Sequence, residues 1–118
     1  MLYIYLDLLT NMSNNFVSEI MNELADAQAM LANAQTEFDV AQHALTEAGN
    51  ELRTATEAYQ LSRRSSMLTL RVEMENHLVR SVNAARVAFE AWRNAERRLE
   101  LCREHLADVE ERAPRGQV

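Results

Sequence analysis

The sequence predicts an all-α protein, a long antiparallel helical hairpin held by a coiled-coil seam rich in alanine. Three observations predict it. Val17, Leu24, Leu31, Phe38, Leu45, Leu52 and Tyr59 recur every seven residues, and Ile20, Ala27, Ala34, Ala41, Ala48 and Ala55 follow three residues after the first six of them. A second heptad stripe places Leu78, Ala85, Trp92, Leu99 and Leu106 in one column and Ser81, Ala88, Ala95, Cys102 and Val109 in the next. Spacings of three and four put such residues on one helix face, which is the pattern of a helix packed against another helix. Finally, the 118 residues include only two glycines and one proline, so there is little turn chemistry and the elements must be few and long.

At the start of the chain, Leu2, Ile4, Leu6 and Leu8 alternate with Tyr3, Tyr5 and Asp7, which reads as strand-like. Residues 1–12 are therefore treated as an apolar extension, and Met12 followed by Ser13-Asn14-Asn15 is an alternative start of translation. Those three polar residues are suited to cap a helix, and Glu19, Glu23 and Asp26 add negative charge near its positive end. The helical hairpin domain is thus expected over residues 13–113.

Two breaks compete for the end of the first helix, Gly49-Asn50 and residues 62–66. The seam passes Gly49 in phase, from Ala48 to Leu52, Ala55 and Tyr59, whereas a turn would reset it. A helix to about Leu61 is expected, with the hairpin tip at Ser62-Arg63-Arg64-Ser65-Ser66. The alternative is a three-helix bundle that also turns at Gly49. Leu68, Leu70, Val72 and Met74 alternate with polar residues, yet an isolated strand is unstable, so they read as the first turns of the second helix. Pro114 ends that helix and leaves residues 114–118 as a short disordered tail.

Charge orients the two arms. The formal net charge is −6, and all twelve basic residues are arginines lying from Arg53 onward, so the first half is acidic. That asymmetry favours pairing of one arm with the other and disfavours non-specific nucleic-acid binding. A single cysteine, Cys102, at a small-residue seam position gives no intramolecular disulfide and points to a cytoplasmic setting. The apolar start is too short to span a bilayer and lacks the basic flank of a signal peptide, so no membrane association is expected.

No phosphate-binding loop, dinucleotide fingerprint, nucleophile elbow or Cys/His metal spacing is present, so no enzyme activity, cofactor or metal is expected. His43 with Asp39 and His77 with Glu73 lie one helical turn apart, but neither pair brings a third ligand and both read as solvated pairs.

What remains is surface for partners. Val79, Val82, Val87 and Phe89 add to Leu78, Ala85 and Trp92, giving the second helix more apolar side chains than one neighbour covers. Val79, Val82, Val87, Phe89 and Trp92 are the expected partner-binding residues, and a second copy completing a four-helix assembly is the economical cover. The expected function is a non-enzymatic protein-protein interaction module, a small regulatory or chaperone-like protein that inhibits or sequesters another protein. One alternative is a self-assembling structural coiled coil. Another is contact with phosphate or nucleic acid through Arg53, Arg63, Arg64 and Arg71 at the hairpin tip, since arginine suits bidentate anion contacts.

Overall fold

A computed structural model describes residues 2–113, and over them the chain is two helices, α1 (Leu2–Ser62) and α2 (Leu68–Arg112), joined by a short turn into a helical hairpin. α1 has 61 residues and α2 has 45. The chain divides into two compact units. One comprises Met1–Gln35 with Arg98–Val118, and the other is Thr36–Arg97, which contains the turn.

α1 is continuous where the sequence offers two interruptions. The strand-like reading of the first eleven residues is overturned, since the helix runs from Leu2 and passes through the expected caps Ser13, Asn14 and Asn15 without a break. The physical reason is that a lone strand leaves its N–H and C=O groups without ladder partners, whereas a helix satisfies them internally. Extending an existing helix adds one hydrogen bond per residue fixed and needs no new nucleus. No glycine or proline precedes Gly49 to stop it. The expected tail, residues 114–118, lies outside the described residues, but α2 ends at Arg112, just before the proline.

Gly49 does not turn the chain, so the three-helix alternative does not hold. Around it three threonine hydroxyls bond back to carbonyls one turn earlier. Thr46 Oγ1 donates to the Gln42 carbonyl at 3.0 Å, Thr54 Oγ1 to Asn50 at 3.1 Å and Thr56 Oγ1 to Leu52 at 2.7 Å. The seam thus continues in phase, as the heptad requires.

The turn follows the Ser/Arg run. The Arg63 N–H still bonds the Tyr59 carbonyl, after which Arg64 and Ser65 bond to Leu61 and Ser62, tightening the last turn of α1. Ser65 Oγ accepts the Met67 N–H at 3.1 Å, a local serine turn, and the Arg71 N–H to Met67 carbonyl bond opens α2. Ser62, buried at the end of the seam, donates its hydroxyl to the Tyr59 carbonyl at 2.7 Å.

Within the first unit the core is Ile20, Ala27 and Ala34 from α1 with Leu99 and Val109 from α2. Arg112 closes it at the rim, 3.3 Å from Glu23 across the helices and 3.3 Å from Asp108 one turn back. Within the second unit Ala55 and Ala95 are buried, with Ser62 and Ser81. The two columns of the α1 seam behave differently. The small column holds the buried positions, while Val17, Leu24, Leu31, Phe38, Leu45, Leu52 and Tyr59 are only half-buried. Small side chains let axes approach at the near end of the roughly 8–10 Å range, and large ones beside them then extend past the single neighbouring helix.

Two stability predictions follow from these surroundings. An added Cβ at Gly49 meets nothing within 4 Å, so Gly49→Ala should raise unfolding stability by about 0.5–1 kcal/mol through helix propensity. Urea titration followed by far-UV circular dichroism reads it. Ala55 is fully buried, so Ala55→Leu should lower stability by about 1–3 kcal/mol because the seam has no room for the added carbons. The same titration scores that variant, and no change in midpoint would contradict a close-packed alanine seam.

Candidate functional site

The exposed apolar side chains of α2 form an ordered stripe. At 3.6 residues per turn each residue advances by about 100°, so residues three and seven apart fall on one face. Leu68, Val82 and Phe89 share one heptad position and Val72 and Val79 share the position three residues earlier; all five are exposed. Glu75, Arg86 and Arg93 complete the stripe between and beyond them, and they too are exposed. The stripe lies beside Leu78 and Trp92, which face α1 and are half-buried.

Of the five expected contact residues, Val79, Val82 and Phe89 therefore share this face. Val87 is also exposed, but it is two residues from Phe89, about 160° around the helix, and cannot join them. Trp92 sits behind the stripe in an aromatic group. Its ring lies 6.1 Å from that of Phe38 on α1 and 6.0 Å from that of Phe89, the second pair stacked. Arg93 places its guanidinium over the Phe89 ring, 6.0 Å from the centroid, so the outermost ring carries a cation on its face. Leu68 and Val72 extend the face toward the turn. They lie outside the five expected contact residues, although a spacing of seven relates them to Glu75 and Val79.

The indole Nε1 of Trp92 is buried and has no hydrogen-bond partner. Leaving such a donor unmet costs about 1–3 kcal/mol, which offsets part of what the large ring contributes by packing.

The four arginines expected at the tip are distributed. Arg63 and Arg71 line one open groove of about 320 Å³ together with Tyr59, Leu68, Val72 and Glu75. Arg64 lines a different groove with Glu57, Gln60 and Leu61. Arg53 donates from Nη2 to Asn50 Oδ1 at 3.1 Å, within its own helix. Each groove has a carboxylate in its wall, which competes with any incoming anion for the guanidinium.

The histidines and the cysteine are local. His43 Nε2 is 3.0 Å from Glu47 Oε1, one turn forward, and both side chains are exposed. His77 is exposed and lines a shallow groove with Glu73, Met74, Asn76 and Arg80. Cys102 is a free thiol, half-buried at its seam position. Among the described residues, no three His, Cys, Asp or Glu side chains are placed to hold a metal ion, and no helix is long and apolar enough to cross a membrane. Comparison with family models, with curated proteins and with solved structures found no match.

The stack yields a prediction. Trp92→Phe should leave unfolding stability within about 1 kcal/mol of the parent, because the lost ring area is balanced by removal of the unmet N–H. Trp92→Ala should cost about 3 kcal/mol. Thermal denaturation by circular dichroism separates the two, and a loss well above about 1 kcal/mol in Trp92→Phe would contradict the offset.

Proposed function

We propose that this chain is a non-enzymatic protein-protein interaction module, a small regulatory or chaperone-like protein that inhibits or sequesters a partner by completing a helical bundle with it. The observation that carries this reading is the α2 stripe of Leu68, Val72, Val79, Val82 and Phe89, five large apolar residues exposed along one face of a helix whose other side is occupied by α1. Apolar side chains gathered on one face in this way mark a contact surface, whereas scattered ones need no explanation. The half-buried large column of α1 supports the same reading, since one neighbouring helix leaves it partly open. A four-helix assembly supplies the missing layer. A cytoplasmic setting suits the single free cysteine.

The experiment is affinity capture from the native cell with the parent chain and with Val82→Asp/Phe89→Asp. A charge placed at each of these exposed positions leaves the alanine seam untouched, so helicity should be retained. Capture of the partner should fall by about tenfold or more, as expected for loss of contacts at the centre of an interface. Undiminished capture by the folded variant would remove the α2 face from the proposal.

A further inference from the structure

We infer that the α2 stripe is covered by the same stripe of a second copy, antiparallel, with the two-fold axis crossing between Arg80 and Ser81. This rests on the reading of that face as a protein contact and names what occupies it. The stripe is itself a heptad seam, because its steps from Leu68 through Val72, Glu75, Val79, Val82, Arg86 and Phe89 to Arg93 alternate four and three. All eight positions are exposed and all lie within Thr36–Arg97.

Charge and register select the orientation. A two-fold axis at that point sets Val79 opposite Val82 of the second copy and Val72 opposite its Phe89. It also sets Glu75 opposite Arg86. Each of these layers occurs twice by symmetry, as an isologous contact requires. The three inner layers thus pair apolar with apolar and acidic with basic, while the outer layer sets Leu68 against Arg93. Parallel pairing in register fails the same comparison, since Glu75 would face Glu75 and both Arg86 and Arg93 would face their own kind. Neither Glu75 nor Arg86 has an ion-pair partner among the described residues, so both are available to pair between copies. Leu78 and Trp92, half-buried beside the stripe, gain cover from the same contact.

Sedimentation equilibrium of the full chain tests the register. The parent should be a dimer at micromolar concentration, and Val82→Asp a monomer. Glu75→Arg and Arg86→Glu should each weaken association by about tenfold or more, because each places like charges in two layers. The double variant Glu75→Arg/Arg86→Glu should recover the dimer. Circular dichroism confirms that each variant is helical, which exposed positions allow. A monomeric parent whose client capture still depends on Val82 and Phe89 would overturn self-pairing and leave the interaction reading intact. A dimer indifferent to both charge reversals, failure of the double variant to recover, or assembly beyond a dimer would overturn this register. Loss of neither dimer nor capture in Val82→Asp/Phe89→Asp would remove both.

Discussion

Close approach along a column of small side chains is the constraint on which the rest depends. Ala27, Ala34, Ala55 and Ala95 are buried because a methyl group leaves room for a neighbouring backbone. The same closeness limits what the seam can contribute. A buried alanine removes little apolar area from water, at roughly 25 cal/mol per Å², so the pair must gain stability from the number of heptads or from further partners. Leu24, Leu31, Leu45 and Leu52 sit beside the small column, yet a single adjacent helix only half-covers them.

That incomplete cover links packing to function. A helix pair spaced by larger residues would enclose its own leucines and present a polar exterior. Here the apolar width of α2 runs from the seam through Leu78 and Trp92 to the exposed Val79, Val82 and Phe89 beside them. The aromatic group shows the transition directly: Phe38 and Trp92 are half-buried, Phe89 stacks on Trp92 from outside, and Arg93 lies over Phe89. The apolar side chains that α1 does not cover remain exposed on α2.

The hairpin tip illustrates how clustering in sequence differs from clustering in space. Arg53, Arg63, Arg64 and Arg71 fall within nineteen positions of one another, but Arg53 lies in α1, Arg63 and Arg64 in the turn and Arg71 in α2. Arg63 and Arg71 meet at one groove, which they share with Glu75. Arg53 is committed to Asn50. The apolar stripe shows the converse, because residues spread from Leu68 to Phe89 converge on one face through a repeat of seven.

By itself the sequence determined the two heptad seams, their phase through Gly49, the turn after Ser62 and the start of α2 at Leu68. Each is a local periodicity of side-chain size, and a helix translates that periodicity directly into a face. It misjudged residues 1–11, because alternation of large and polar side chains describes a strand only where another strand supplies hydrogen bonds, and none is present among the described residues. Tertiary structure alone decided how far a neighbour covers each apolar residue: it half-buried Trp92 with an unmet N–H and left Val82 and Phe89 open. Burial depends on what lies across the interface, and no single stretch of chain encodes the position of its neighbour.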